Sequence, residues 1–180
     1  MLHLITGGSA SGKSLYGERM AVETQKAFRY YLATMRPWGE EGRKRVLRHQ
    51  EQRAGKGFET MEAYHCLEMR ALQTKSRTDT VILLECMSNL VANELFEAGG
   101  SDEEIARRIQ EGIRYLQRCA EIVIVVTNEV FSDGAEYEAE TMRYIRLLGQ
   151  VNQRLASMAD QVTEVVYGIA VRIKEGSEER

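Results

Sequence analysis

Eight consecutive residues, Gly7-Gly8-Ser9-Ala10-Ser11-Gly12-Lys13-Ser14, have the types and spacing of G-x-x-x-x-G-K-[ST], a loop that wraps polyphosphate. A polyphosphate carries too much charge for one cation, so backbone N–H groups share in holding it. Glycines allow the partly positive-φ path that aims those groups inward. Lys13 is placed to reach the outer phosphates and Ser14 to ligand Mg²⁺, while the following helix points its positive end at the anion. These residues predict binding of a nucleoside triphosphate.

Phosphoryl transfer also needs a carboxylate to help hold Mg²⁺ and a group to orient the nucleophile. Two candidates end apolar runs: Glu85 after Val81-Ile82-Leu83-Leu84, and Glu129 after Ile122 to Asn128. Ser14, Glu85 and Glu129 are the expected metal ligands, and which acid faces metal and which faces substrate stays open. A third group is less conventional. Arg45, His49 and Arg53 recur every four residues and share one face of a predicted helix. Guanidiniums beside an imidazole disfavour its protonation and stabilise negative charge on a phosphate under attack. Periodicity alone favours a polar surface helix that happens to carry a histidine. His3 and His65 read as structural, and Cys66, Cys86 and Cys119 form neither a disulfide framework nor a zinc site.

The elements that must position these groups follow from patterning. Leu2 to Thr6 is a buried strand leading into the loop, and Leu15 to Val22 a helix leaving it. Further strands are predicted over Phe28–Thr34, Val81–Glu85 and Ile122–Glu129, with a short edge strand at Phe58–Glu62. A final pair, Gln161–Tyr167 and Ile169–Ile173, pivots on Gly168. Helices are predicted over Gly42–Lys56, Met61–Gln73, Ser88–Glu97, Asp102–Cys119 and Glu138–Ala159, with Ser101 capping the fourth. This alternation is that of an α/β fold with a mainly parallel sheet. Right-handed crossovers then bring Lys13, Ser14, Glu85 and Glu129 to one edge. Residues 1–174 read as a single domain, with 175–180 a frayed tail.

Composition narrows the class. A net charge of −3 gives no basic field for nucleic acid, and no apolar stretch approaches a membrane span. The chain enters a strand and the loop at once, without room for a signal peptide, so a cytoplasmic location is expected.

The ordered set of motifs resembles the bifunctional adenosylcobinamide kinase/adenosylcobinamide-phosphate guanylyltransferase family of cobalamin biosynthesis. The phosphate loop is generic, but the combination is specific. It comprises Arg45, His49 and Arg53 with Phe58, Thr60 and Glu62 behind them, and Leu83-Leu84-Glu85-Cys86 followed by Asn93. Val126-Thr127-Asn128-Glu129-Val130, Val151 to Ala156 and Gly168-Ile169 complete it. The resemblance implies a RecA-like P-loop fold, ATP and GTP as substrates with Mg²⁺, and a homotrimer. It implies phosphorylation of adenosylcobinamide, then transfer of GMP to its phosphate through a guanylylated histidine at His49. Lys13 and Glu85 would be catalytic beside it, with Arg48, Arg53, Glu62, Glu85 and Glu129 joining residues 7–14 at the nucleotide. The chain departs from the family pattern at Phe131-Ser132-Asp133-Gly134-Ala135-Glu136, with Ala139 where an arginine is usual, and Arg143 or Arg146 as possible substitutes. Ala54 also replaces a common proline. The altered loop keeps two alternatives open, a single-activity P-loop kinase and a non-catalytic GTP-sensing module.

Overall fold

The fold, given by a computed structural model, is described for residues 1–37, 39–67, 72, 74–129 and 138–176, without the side chains of Glu41, Arg43, Arg45, His49 and Gln52. Seven strands form one sheet: β1 (Leu2–Thr6), β2 (Phe28–Ala33), β3 (Phe58–Glu62), β4 (Thr80–Leu84), β5 (Ile122–Val126), β6 (Gln161–Val166) and β7 (Ile169–Lys174). Their order is β3-β2-β4-β5-β1-β6-β7. All neighbours pair in parallel except β7, which returns antiparallel on β6.

Burial explains the strand compositions. β4 is buried throughout, and β1 and β5 nearly so, because helices cover both faces of the sheet there. Helices α3 (Met87–Asn93), α4 (Asp102–Cys119) and α5 (Ala139–Met158) lie over the face bearing Leu2, Leu4, Ile82, Leu84, Val123 and Val125. Helix α1 (Lys13–Glu23) covers the opposite face, where Ile5, Tyr31, Leu83, Ile124 and Val126 meet Ala21. Its approach requires Gly17: a Cβ there would sit 3.2–3.3 Å from Val126, Ile5 and Leu83. Helix α2 (Gly39–Arg53) flanks α1 on the same face. The order places β1, β4 and β5 side by side, so the segments following them gather at one sheet edge, as right-handed crossovers require.

Most predicted elements are present, with three corrections. The helix expected over Met61–Gln73 does not form over residues 61–66. Strand β3 runs on through Glu62, Ala63 N–H still bonds the Ala33 carbonyl at 2.9 Å, and residues 63–66 are not helical. Side chains take up the backbone groups that a helix would have used. Asn93 Nδ2 donates to the Tyr64 carbonyl at 2.9 Å, and the Glu94 carboxylate accepts from Cys66 N–H at 2.6 Å. Residues 68–71 and 73 lie outside the described residues. The helix expected over Ser88–Glu97 is α3 continued by a π-helical turn, Glu94–Ala98. Helix α2 begins and ends three residues earlier than expected, stopped by Gly55 and Gly57 at positive φ. Ser101 caps α4 as predicted: its hydroxyl accepts Glu104 N–H, and the Glu104 carboxylate accepts Ser101 N–H. Of the predicted tail, residues 177–180 lie outside the description.

Candidate nucleotide-binding site

The phosphate loop leaves the buried end of β1 and turns directly into α1. Gly12, at φ 94°, occupies the N-cap, where a side chain would otherwise satisfy the first N–H groups. No side chain caps them and no acid stands in the first turn, so the positive helix end is left for an anion. Gly7 cannot be substituted without movement, because a Cβ would lie 2.4 Å from the Val165 carbonyl oxygen. Three backbone bonds brace the loop. Glu129 N–H reaches the Gly7 carbonyl at 3.3 Å, Gly168 N–H the Ser11 carbonyl at 2.8 Å, and Ser11 N–H the Gly8 carbonyl at 3.3 Å.

Lys13 is buried and donates from Nζ to the Gly8 carbonyl at 2.8 Å. Burial lowers its pKa, while the neighbouring Cys86 acts in the opposite sense. A polyphosphate would supply the counter-charge that this desolvated ammonium lacks. Ser14 is exposed on the first turn, and the Ser11 hydroxyl is buried without a hydrogen-bond partner.

The two acids follow strands on the same side of β1 but line separate cavities on opposite faces of the sheet. Glu85 follows β4, and its carboxylate accepts Thr34 N–H at 3.2 Å. It lines a cleft with Tyr31, Arg53, Thr60 and Glu62 beneath α2. Tyr31 is held protonated by burial and, secondarily, by the Glu85 charge. Glu129 is exposed and lines a separate cavity of about 620 Å³ against α5, with Thr6, Thr127, Arg146 and Asn152. Asn152 ties α5 to this edge: its Oδ1 accepts the Thr127 hydroxyl at 2.7 Å, and its Nδ2 donates to the Asn128 carbonyl at 3.3 Å.

Arg53 ends α2 and is only 6% exposed. Its guanidinium lies 3.5 Å above the Tyr31 ring, yet Nε and Nη1 have no hydrogen-bond partner. A buried cation with donors unsatisfied is costly, and stacking on an aromatic face offsets only part of that cost. An anionic ligand would satisfy it. Beyond Arg53, Lys56 Nζ bonds the buried Glu18 carboxylate of α1 at 2.6 Å and joins the base of α2 to the phosphate-loop helix.

Of the remaining expected residues, Arg48 and Glu62 are exposed, the latter at the end of β3. The side chains of Arg45 and His49 lie outside the description, although α2 is helical through both positions. Residues 131–136 of the divergent loop are likewise outside it. Arg143 is committed elsewhere, to Asp102 at 2.7 Å and the Gly100 carbonyl at 2.8 Å, which leaves Arg146 at the α5 cavity. His3 is buried, its Nε2 2.8 Å from the Thr163 hydroxyl. Burial, then the Arg172 charge, lowers its pKa to about 4. Tyr31, Glu18 and Lys56 escape sequence reading because their partners lie 22 to 38 residues away.

Comparisons with known proteins bear on this site. A family model described as cobinamide kinase / cobinamide phosphate guanyltransferase matches residues 3–173. The chain is 34% identical over 97% of its length to the whole of the bifunctional adenosylcobalamin biosynthesis protein CobU of Escherichia coli. It is 36% identical, with the same coverage, to the protein of that name from Salmonella typhimurium. Among solved structures, the flagellar accessory protein FlaH of Methanocaldococcus jannaschii aligns with a TM-score of 0.51 at 14% identity, covering 97% of this chain and 78% of that one. That likeness concerns the fold alone.

Proposed function

Since the chain belongs to the cobinamide kinase / cobinamide phosphate guanyltransferase family, we propose that it carries out two successive transfers at the edge of its sheet. In the first, the aminopropanol hydroxyl of adenosylcobinamide attacks the γ-phosphorus of ATP or GTP. The new O–P bond forms as the bond to the β-phosphate oxygen breaks, and nucleoside diphosphate leaves. Lys13 and the uncapped N–H groups of α1 stabilise the charge on the transferring group. Glu85, fixed by Thr34 N–H, takes the hydroxyl proton.

In the second transfer, a ring nitrogen of His49 attacks the α-phosphorus of GTP. A phosphoramidate forms, and pyrophosphate departs. The phosphate of adenosylcobinamide phosphate then displaces histidine to give adenosylcobinamide-GDP. Arg53, one turn beyond His49 on α2, meets the negative charge that develops at phosphorus, with Arg48 and Glu62 at the rim. The observation that carries this assignment is the buried guanidinium of Arg53 with two unsatisfied donors in the cleft that holds Glu85.

Mg²⁺ fits this donor set. Among the described residues no cluster of three His, Cys, Asp or Glu forms an all-protein cage. The exposed Ser14 hydroxyl would hold Mg²⁺ with a carboxylate from Glu85 or Glu129, which line separate cavities, a sparse set of the kind Mg²⁺ uses when phosphates and water complete its shell. Bound there, it would neutralise charge on the phosphate oxygens of the nucleotide.

The homotrimer implied by resemblance belongs to the same proposal. Ile169, Val171 and Ile173 on the edge strand β7 are exposed, so a second copy seated on them would cover an apolar edge of the sheet. No helix among the described residues is long and apolar enough to cross a membrane, and a cytoplasmic location accords with the substrates. The test is an assay of both half-reactions in wild type and His49→Ala. The variant is expected to keep adenosylcobinamide phosphorylation and lose GMP transfer. A variant that retains GMP transfer would contradict the assignment.

A further inference from the structure

The β6–β7 turn consists of Tyr167 and Gly168, at φ 51° and φ 80°. Two-residue hairpin turns with positive φ at both positions favour Asn-Gly, and a bulky aromatic at the first is disfavoured. The tyrosine gains no burial in return. It is 93% exposed, the highest value among the exposed large hydrophobic residues. A strained, solvent-facing ring is a poor choice for folding alone.

Its place is specific. Gly168 N–H donates to the Ser11 carbonyl at 2.8 Å, and a Cβ on Gly12 would lie 3.5 Å from Gly168 Cα. The hairpin tip is therefore built onto the outer curve of the phosphate loop, on the flank away from α2. Leu15, on the first turn of α1, is 66% exposed. A nucleotide whose phosphates sit in the loop must carry its ribose and base outward, past the start of α1. Leu15 is the exposed apolar side chain at that start, and Tyr167 is carried by the hairpin tip braced on the loop.

We propose that Tyr167 is the stacking platform for the purine base of the nucleotide held in the phosphate loop, with Leu15 as its apolar neighbour. The inference rests on the nucleotide-binding reading above and adds to it the base subsite. Stacking engages the face of a base, not its hydrogen-bonding edge, so one ring accepts adenine and guanine alike. Such a subsite would admit either ATP or GTP to the kinase step without a reading of the purine edge.

The test is equilibrium binding of ATP, GTP and inorganic tripolyphosphate, with Mg²⁺, to wild type, Tyr167→Phe and Tyr167→Asn. Asparagine suits the positive-φ turn, so its variant keeps the hairpin and removes only the ring. Tyr167→Asn is expected to weaken ATP and GTP about tenfold or more, equally, and to leave tripolyphosphate unchanged, while Tyr167→Phe binds as wild type. Unchanged nucleotide affinity in Tyr167→Asn overturns the proposal, most plainly if the oligomer dissociates instead. So does an equal loss for tripolyphosphate, which would make the ring a prop for the loop. A wild type that binds none of the three compounds would overturn the nucleotide-binding reading itself.

Discussion

The phosphate loop and the cleft beneath α2 are suited to anions by opposite means. The loop is local: eight consecutive residues, backbone donors and one lysine, braced by Gly168 and Glu129. The cleft is assembled from four elements, with Arg53 of α2 stacked on Tyr31 of β2, Glu85 after β4 and Glu62 of β3. Among the loop's side chains Ser11 Oγ is buried without a partner, whereas the cleft keeps a buried guanidinium with two donors unpaired. A site made of backbone is built before its ligand arrives. A site made of a desolvated side-chain charge is completed by the ligand.

Substitutions that separate the two regions should differ in kind. The largest effect is expected from Lys13→Ala, which removes the cation from both transfers and should lower each by about a hundredfold or more. Steady-state assays of the two half-reactions with their own substrates measure this, and a variant that loses only one would break the view that they share the loop.

Arg53→Met sharpens the contrast. Removing a buried, poorly paired charge is often neutral or stabilising, by about 1–4 kcal/mol. Without nucleotide, denaturant unfolding should show equal or greater stability, while GMP transfer falls by tenfold or more and phosphorylation is little changed. A clear loss of stability would mean that stacking on Tyr31 outweighs the unsatisfied donors. Lys56→Met and Glu18→Gln test the tie between the two regions. Glu18→Gln leaves a weaker acceptor for Lys56 in a buried position and should cost about 1–3 kcal/mol. It should slow GMP transfer more than phosphorylation, since the phosphate loop is braced independently.

Acid sensitivity should come from neither region. His3 lies within the sheet on the inner strand β1, with a folded-state pKa of about 4 against 6.5 when unfolded. The unfolded chain therefore binds a proton first, so stability is lost as pH falls from about 6.5 toward 4 and is unaffected above that range. His3→Gln should flatten this part of the stability profile. An unchanged profile would place the sensitivity elsewhere.

The same contrast explains what could be read in the chain. The loop, its strand and its helix follow from adjacent residues, and the parallel sheet follows from apolar runs such as Val81–Leu84. Glu85 and Glu129 were placed at strand ends by those same runs. Periodicity put Arg53 on the face shared with His49 but favoured a polar surface helix, and it was the resemblance that turned the reading of that face to chemistry. Its anchor, Tyr31, and the pairing of Glu18 with Lys56 carry no local signal. The helix predicted from Met61 is absent over residues 61–66 for a similar reason, because Asn93 and Glu94, some thirty residues on, hold that backbone open.

The central claim is that α2 presents a nucleophilic histidine to the nucleotide beside Arg53. The direct measurement is incubation with GTP labelled on its α-phosphate, with Mg²⁺ and no corrinoid, followed by acid and alkaline treatment of the protein. Wild type should carry acid-labile, alkali-stable label, and His49→Ala none. Label of equal amount and lability on both proteins, or on neither, would contradict the account.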